Sequence, residues 1–292
     1  MRKDKMFLLD ALPRLLTYFF LVTAMLSVGM QTTMKDLRSL LASRGLLFRS
    51  LLANFVVVPI IGIVLVRFLP LKPEVAIAFL LLACTPGGIS ALQFTTKIKG
   101  ASLFAGSSAF IMSFVAVFLT PVLLELALPG DSPVVVPYAR ALIFIVIFLL
   151  FPLVLGMVAT SRLKEGLSGK LSKLCGLISA VAFVVVLVLI MGQRKEAMNA
   201  VGKDALLYML LFVVLSMAAG WYMGGPTKET RPVLATVTGM RNVALCLLIA
   251  LYTFPDPAVQ TPLVAFSALM VPPNMLYTLY WVIRSKRKAR VT

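Results

Sequence analysis

Two hydrophobic segments of this sequence contain residues that a membrane helix ordinarily avoids. These residues indicate what the protein could bind. One segment contains the run CTPGGIS at residues 84–90, and the other contains TVTGMRN at residues 236–242. A proline and two glycines within an apolar span free backbone groups that lipid cannot satisfy. Two helices broken in this way can direct the partial positive charges of their half-helix N-termini at one point. The pattern therefore predicts an anion-binding site built from main chain and small side chains.

Arg241 is the residue of the second segment that costs the most free energy to place inside a membrane. A charge at the centre of a membrane helix costs at least ~2.5 kcal/mol on insertion scales, so a structural or functional role is the default expectation. The position of Arg241 near the middle of its span disfavours a side chain that snorkels to the membrane surface. We expect its partners to be backbone carbonyls of the unwound segments, Asn54, or the anion of a substrate.

The sequence does not contain the residue patterns that are typical of an enzyme active site. There is no histidine, and the eleven carboxylates all lie near span ends or in loops, where no intramembrane proton relay can use them. The same pattern removes metal sites and acid–base pairs, so neither an enzyme nor a cofactor is expected. The three cysteines, Cys84, Cys175 and Cys246, lie in apolar surroundings without metal-ligand spacing, and we interpret them as packing residues.

The elements that must position these residues are membrane helices. The 292 residues are 60% hydrophobic with a mean hydropathy of +1.00, and apolar runs recur along the whole length. The chain is therefore predicted to be an all-α, polytopic membrane protein with one domain over 1–292 and the lipid bilayer as its surroundings. Nine transmembrane helices are predicted, at residues 11–30, 46–69, 74–97, 101–128, 134–160, 168–191, 205–224, 230–253 and 257–283.

The net charge of +17 suggests orientation in a membrane and not nucleic-acid binding, because the basic residues lie in short loops between apolar runs. Of the 28 Lys and Arg residues, 17 fall on the side of the C-terminus, 9 fall on the other side, and two, Arg14 and Arg241, lie within spans. This excess predicts a cytoplasmic C-terminus and an N-terminus outside. The basic N-terminal segment has no cleavage-site pattern after it, and we interpret it as a short tail before a retained helix.

The two interrupted helices are the third and the eighth span, so they cross the membrane in opposite directions. An inverted repeat requires this relation, and transporters with inverted repeats bind substrate where two discontinuous helices meet. The residues alone thus favour a secondary transporter with a binding site at the crossing point. The chain is predicted to be non-helical around Gly87–Ser90 and Thr238–Arg241, and these two segments are expected to cross near the middle of the membrane.

The interrupted segments resemble the two crossover motifs of the bile acid:sodium symporter family. The resemblance rests on Thr85-Pro86-Gly87-Gly88 followed by Ser90, and on Gly239-Met240 followed by Asn242. It extends from residues 26–30 to Trp281, nearly the whole chain, and includes Asn54, Pro59 and the closing Tyr280-Trp281. The resemblance is to the nine-helix form of the family, so we expect the chain to lack the additional N-terminal helix of the ten-helix bacterial members.

The resemblance implies a panel domain, residues 11–30 and 134–191, beside a core domain, residues 46–128 and 205–283. It implies transport by alternating access in the cell membrane, with a bacterial inner membrane as the expected location. The implied substrates are small-molecule amphipathic organic anions: bile acids, sulfated steroids or small carboxylates. No obligate protein partner is implied. The expected substrate-binding residues are Pro86, Gly87, Gly88, Ile89, Ser90, Thr238, Gly239, Met240, Asn242 and Met270.

The sequence departs from the family at the residues that ligate sodium. Ala91 and Leu92 stand where the family has Ser-Asn, and Ala105 and Ala109 stand where it has a serine and a threonine. Val237 replaces a glutamate shared by both sodium sites, Arg241 replaces a glutamine, and Asn54 is a short homologue of another glutamine. Because sodium needs about five or six hard oxygen ligands by analogy with other hard cations, both sites should be lost. Arg241, with Asn54, is therefore predicted to act as a surrogate cation site, and no metal is expected.

Several hypotheses follow. The first is a transporter of amphipathic organic anions that works without sodium, as a uniporter or an exchanger. The second keeps sodium or proton coupling through other ligands, such as Thr85, Thr238 and Asn242. An efflux carrier of the related arsenite type is suggested by Cys84, although Val237 does not supply the acidic partner this chemistry wants. A membrane sensor that binds ligand without transport is the remaining alternative.

Overall fold

The computed structural model describes residues 2–86, 91, 102–128, 138–163, 165–193, 201–225, 230–253 and 259–288, and this part of the chain is helical. We number the helices in chain order: α1 (Arg2–Met30), α2 (Met34–Ala42), α3 (Arg44–Leu52), α4 (Val58–Phe68), α5 (Pro73–Cys84), α6 (Ser102–Ala127), α7 (Tyr138–Ile145), α8 (Phe151–Arg162), α9 (Glu165–Gln193), α10 (Lys203–Met223), α11 (Thr230–Gly239), α12 (Val243–Thr253), α13 (Gln260–Leu269) and α14 (Val271–Lys288).

Six helical stretches in the described ranges are long and apolar enough to cross a membrane. They are Arg44–Phe68, Ser107–Ala127, Leu142–Arg162, Gly166–Val186, Lys203–Met223 and Gln260–Arg284. A seventh forms if α1 from Leu15 and α2 count as one span bent by 76°. The chain is thus an all-α, multi-pass membrane protein.

Each of the nine predicted ranges contains helix, but the prediction of nine spans goes beyond the six or seven that length and apolarity support. When the bent pair is counted as the first span, the difference lies in the two interrupted segments. Helix α5 has 12 described residues, and α11 and α12 have 10 and 11, so none is long enough to cross alone.

Two of the membrane-spanning stretches contain a π-helical turn, and in each of them a proline follows as the second residue after that turn. The turn Ala53–Val57 joins α3 to α4 and precedes Pro59, and Val146–Leu150 joins α7 to α8 and precedes Pro152. Proline has no N–H to donate to the preceding turn, and the wider π turn accommodates the missing bond without ending the helix. The first of these turns contains Asn54, whose side chain is buried.

Helix α1 packs along α8 and α9 through small residues. A Cβ atom on Gly29 would collide with the Leu153 carbonyl, and one on Gly156 would collide with the Leu26 carbonyl. Ser27 Oγ donates to the Ser172 carbonyl at 2.9 Å, and Ser172 Oγ returns a bond to the Ser27 carbonyl at 3.2 Å. Close approach through glycine and serine is the usual way in which membrane helices associate, because lipid removes the hydrophobic driving force between them.

The outer surface of the bundle is apolar. On α9 the exposed face consists of large aliphatic side chains, whereas Ser168, Ser172 and Ser179 are buried. The exposed residues recur at helical spacing, at Leu174, Leu177, Ile178, Val181, Val184, Val185 and Val188. Such an arrangement suits lipid outside and close helix packing inside.

The structure differs from the sequence prediction at the start of the chain. Helix α1 begins at Arg2, not near residue 11, so the expected N-terminal tail is helical; most of its residue types are good helix formers. The basic segment between the first two spans contains the short helix α2. Thr33 and Asp36 form a reciprocal capping box at its start. The helix axis bends by 76° between α1 and α2.

Candidate functional site: the crossing of two interrupted helices

The two interrupted helices touch at their breaks. Helix α5 ends at Cys84 and is followed by irregular chain at Thr85 and Pro86, while α11 ends at Gly239 and α12 begins at Val243. The Asn242 N–H donates to the Thr85 carbonyl at 3.1 Å, which joins the two breaks directly. The described parts of the two interrupted segments are thus in contact. Residues 87–90 of the first segment lie outside the described residues, so the crossing near the membrane centre stays a prediction.

The break in the later helix lies slightly further along than expected. Thr238 and Gly239, predicted to be non-helical together with Arg241, still belong to α11, and the irregular residues are 240–242. The Thr238 hydroxyl donates to the Leu234 and Ala235 carbonyls at 2.9 and 3.0 Å, within its own helix. The Met240 N–H continues the helical ladder to the Thr236 carbonyl, so the main chain leaves the helix only after this bond.

Every carbonyl at the free end of α5 has a partner. The last four carbonyls of a helix have no intrahelical donor, and in a membrane an unsatisfied carbonyl is costly. Thr85 Oγ1 donates to the Leu81 carbonyl at 2.8 Å, and Thr120 Oγ1 of α6 donates to the Cys84 carbonyl at 2.8 Å. The Leu82 and Ala83 carbonyls are satisfied by Arg241, through Nε at 2.8 Å and Nη2 at 2.6 Å.

Arg241 is buried, with 1% of its surface exposed, and does not snorkel. Its third contact is from Nη1 to Asn54 Oδ1 at 3.1 Å, and the Asn54 amide nitrogen donates in turn to the Ser50 carbonyl at 3.0 Å. Of the partners expected for Arg241, the structure shows Asn54 and two backbone carbonyls in contact with its guanidinium. The carbonyls belong to the last turn of α5, not to the unwound segment itself.

The Arg241 guanidinium lies at the ends of two helices, where the partial negative charge of the backbone carbonyls favours a cation. Helix C-termini carry partial negative charge, and α5 and α11 both end at the crossing. In transporters with discontinuous helices, carbonyls at half-helix C-termini are typical ligands of the coupling cation. The Leu82 and Ala83 carbonyls are such groups, and a tethered guanidinium occupies them.

The start of α12 presents a polar side chain toward the crossing. Asn242 is 2% exposed, and its Oδ1 accepts the Leu245 N–H at 3.1 Å as a helix cap. Its amide nitrogen is buried and has no hydrogen-bond partner among the residues that the structure describes. An unpaired buried donor at a helix N-terminus is a group that an anion could satisfy.

The other predicted substrate residues are enclosed in this conformation. Pro86, Thr238, Gly239, Met240 and Met270 are all buried. Gly239 approaches Asn274 so closely that a Cβ atom would lie 3.0 Å from Asn274 Oδ1, and the Asn274 amide donates to the Met270 carbonyl at 2.8 Å. The crossing thus brings together the later motif and Met270, whereas Gly87, Gly88, Ile89 and Ser90 lie outside the described residues.

Three of the positions that depart from the family pattern are apolar and buried: Ala91, Ala109 and Val237. Leu92 and the side chain of Ala105 lie outside what the structure describes. The described part of the chain contains no group of three or more His, Cys, Asp or Glu side chains that could hold a metal ion.

Sequence reasoning missed two residues that hold the crossing together. Thr120 caps α5 from a helix 36 residues away in sequence, and Cys246 lies 2.7 Å from Thr85 Oγ1 through its sulfur atom. Thr120 immediately precedes Pro121 in an apolar helix, which was its only signal. The packing role expected of Cys246 agrees with its complete burial.

Fold and crossing together define a multi-pass helical membrane protein whose two interrupted helices meet at their breaks. A model of the sodium bile acid symporter family matches residues 18–201, well over half of the chain. The protein belongs to this family. It is a family of transporters and not of enzymes, in agreement with the sequence prediction.

Three relatives illustrate the similarity. A probable sodium/metabolite cotransporter of rice chloroplasts, BASS2, is 24% identical over 88% of this chain and 61% of its own length. The uncharacterized sodium-dependent transporter YocS of Bacillus subtilis is 22% identical over 92% of the chain and 84% of its own length. The human hepatic sodium/bile acid cotransporter is 26% identical over 86% and 73%. The chain thus spans about three fifths of the rice protein.

Proposed function

We propose that this protein is a secondary transporter of amphipathic organic anions that works by alternating access without sodium. The observation that carries the proposal is the position of the Arg241 guanidinium on the Leu82 and Ala83 carbonyls at the end of α5. Its relatives are named for sodium-dependent transport, and a cation belongs at such carbonyls. Here the cation is part of the chain.

The loss of oxygen ligands supports this assignment. Ala91, Ala109 and Val237 are buried and apolar, so they supply no side-chain oxygen to an ion. The Asn54 oxygen, the one polar remnant of the family's second sodium site, already accepts from Arg241. A sodium ion brought close to Arg241 would meet a like charge and too few ligands.

The proposed architecture is that of nine spans in an inverted repeat, with a panel at residues 11–30 and 134–191 and a core at residues 46–128 and 205–283. The packing of α1 along α8 and α9 supports the panel, and the contact between Thr85 and Asn242 supports a core centred on the crossing. The excess of basic residues on the C-terminal side supports a cytoplasmic C-terminus.

The proposed substrate site lies beside the crossing, with Asn242 as its anchor. The anion would accept from the Asn242 amide nitrogen, and the N-terminus of α12 would add its partial positive charge. The run from Pro86 to Ser90, together with Thr238, Gly239, Met240 and Met270, completes the site. Since the described members are buried, movement of panel against core must open the site before a substrate can enter.

A sodium-coupled symporter of the same substrates is the second candidate. The sodium-dependent names of the three relatives favour it. The two candidates differ in whether sodium binds to the protein, which can be measured before any substrate is known.

The test is a thermal-shift screen of the purified protein in sodium, potassium and choline chloride at equal ionic strength. Each salt is combined with bile acids, sulfated steroids and small carboxylates in turn. We expect at least one organic anion to raise the unfolding temperature equally in the three salts. Stabilisation that requires sodium would overturn the sodium-free proposal and favour the symporter. Absence of any stabilising anion would overturn the substrate class.

A further inference from the structure

A second polar feature lies at the C-terminal side of the bundle, away from the crossing. The end of α10, the start of α11 and the end of α14 surround a cavity of about 370 Å³. Its lining consists of two arginines and four aromatic residues: Trp221, Arg231, Tyr277, Tyr280, Trp281 and Arg284. Acidic side chains are absent from this lining, as far as the described residues extend.

The arginines and tryptophans form a layered cluster. The Arg231 guanidinium lies over Trp221, with its Cζ 5.8 Å from the ring centroid, and Arg284 lies over Trp281 at 5.2 Å. The two indole rings contact each other, with centroids 5.3 Å apart. Arg231 Nε also donates to the Gly225 carbonyl at 2.7 Å, and Arg284 Nη1 donates to the Tyr280 hydroxyl at 2.8 Å. The rings and these bonds hold two positive charges in one cavity.

The cavity lies at the ends of two membrane-spanning stretches, where we expect the membrane to meet water. Trp221 is in the last turn of α10, and Arg284 closes the apolar part of α14. Tryptophan and tyrosine are enriched at this depth, where an amphipathic ring meets both apolar and polar surroundings. Beside the cavity, Leu276, Leu279 and Ile283 of α14 are 63%, 52% and 45% exposed, which is a surface for acyl chains.

Basic residues continue beyond the cavity. Lys286, Arg287 and Lys288 form the last turn of α14 after Arg284. A cluster of four or more Lys and Arg directly after a membrane helix attracts anionic lipid headgroups. A planar guanidinium is also suited to paired hydrogen bonds with a phosphate.

We propose that this cavity is a binding site for the phosphate headgroup of an anionic phospholipid in the leaflet on the C-terminal side. The phosphate lies between Arg231 and Arg284, and the acyl chains lie along the exposed face of α14. The lipid then joins α10, α11 and α14 at their ends. The site is separate from the crossing, and the proposal does not depend on what the protein transports.

The experiment uses the full-length protein, stripped of lipid in detergent, with phosphatidylglycerol or phosphatidylcholine of the same acyl chains added. Bound lipid is counted by native mass spectrometry, and the unfolding temperature is measured in parallel. We expect tighter binding and greater stabilisation with phosphatidylglycerol. The double variant R231Q/R284Q should weaken phosphatidylglycerol binding by about tenfold or more, because each arginine near the surface contributes to the attraction.

The matched control is R38Q/R162Q, which removes the same charge from residues outside the cavity. It should leave phosphatidylglycerol binding within about twofold of the unchanged protein, since the electrostatic attraction falls off within a Debye length. An equal loss in the control would overturn the proposal in favour of diffuse attraction. Equal binding of the two lipids would overturn it as well. A third outcome concerns inorganic phosphate at millimolar concentration. If it raises the unfolding temperature as much as phosphatidylglycerol does, the site binds a soluble anion and the lipid assignment is overturned.

A single variant keeps the test decisive if the double variant does not fold. The hydrogen bond of Arg284 runs to Tyr280 on its own helix, so R284Q should fold and still reduce the preference for phosphatidylglycerol. R284K retains the charge but not the planar group, and it should restore part of that preference. A preference that is unchanged in R284Q would contradict the assignment.

Discussion

At the scale of single residues, Arg241 acts as both a charge and a helix cap. R241Q removes the guanidinium and leaves the Leu82 and Ala83 carbonyls without their donors. Because removing one partner of a buried polar group costs the desolvation of the other, we expect a loss of roughly 3 kcal/mol in unfolding free energy. The measurement is unfolding in detergent by heat or by a denaturing detergent.

The control for this variant is R67Q, at the exposed end of α4, which should change stability by less than about 0.5 kcal/mol. R241K keeps the charge but cannot reach three acceptors from one rigid plane, so its stability should fall between those of the unchanged protein and R241Q. An R241Q protein as stable as R67Q would show that the guanidinium is not needed to hold the crossing.

The bond between Arg241 and Asn54 gives a second prediction at this scale. N54A removes the Oδ1 acceptor of Nη1 and also the bond to the Ser50 carbonyl. Residues in one buried hydrogen-bond network are coupled, so R241Q/N54A should cost less than the sum of the two single variants, by about 1 kcal/mol. Strict additivity in the double-mutant cycle would contradict the network.

Sequence alone could predict which residues meet here, but not the full set of donors. A buried arginine in an apolar span must find oxygen. The resemblance to the family pointed to Asn54, although it lies 187 residues away from Arg241 in the chain. That Thr120 would satisfy the Cys84 carbonyl depends on how α6 packs against α5, and no local pattern in the sequence carries this information.

At the scale of elements, Asn242 both caps α12 and presents a free donor, and two substitutions separate these roles. N242D keeps an oxygen acceptor for the Leu245 N–H, so the helix start should persist. It replaces the donor toward the proposed anion with a negative charge. Because the added carboxylate is buried, we expect some loss of stability. Because it repels an anion, we also expect at least about tenfold weaker binding of the anion found in the thermal-shift screen.

N242A is the companion variant. It should lose about 1 kcal/mol of stability through the missing cap and also bind the anion more weakly. If N242D binds the anion as tightly as the unchanged protein, Asn242 is a structural cap alone.

The contact of α1 with α8 gives a prediction on packing. In G156A a Cβ atom would collide with the Leu26 carbonyl, which is main chain and cannot move aside cheaply. We expect a loss of about 1–3 kcal/mol from overpacking. The matched control is G169A on α9, where a Cβ atom has no heavy atom within 4 Å and alanine favours the helix. Unfolding in detergent distinguishes them, and equal stability of the two variants would contradict the close crossing.

Element types were predictable from the sequence, whereas several boundaries were not. Apolar runs separated by proline, glycine and lysine indicate where helices lie, because these residues break or end spans. The amphipathic helix α2 was missed because its basic residues dominated the pattern, although Thr33 and Asp36 form a recognisable capping signal. The break after α11 was placed too early because hydrogen bonds of Thr238 and Met240 extend the helix past the threonine.

At the scale of the whole molecule, the proposed replacement of sodium by Arg241 has a consequence for the energy that drives transport. A sodium ion that binds one conformation better than another couples its own gradient to the movement of substrate. Arg241 is held by the chain and cannot be released on either side of the membrane. In the proposed function it holds the crossing together and brings no energy from an ion gradient into the cycle.

Transport should therefore run down the gradient of the substrate itself, or by exchange of one anion for another. The measurement is uptake of the anion from the thermal-shift screen into proteoliposomes, with and without an inward sodium gradient, at fixed ionic strength and membrane potential. We expect the same initial rate and the same final level in both cases, with faster uptake when the vesicles are preloaded with unlabelled substrate if the protein exchanges. Protein-free liposomes give the background leak. Accumulation above equilibrium that appears only with the sodium gradient would show that an ion site exists beside Arg241. The guanidinium would then be a structural part of a sodium-coupled symporter and not a replacement for the ion.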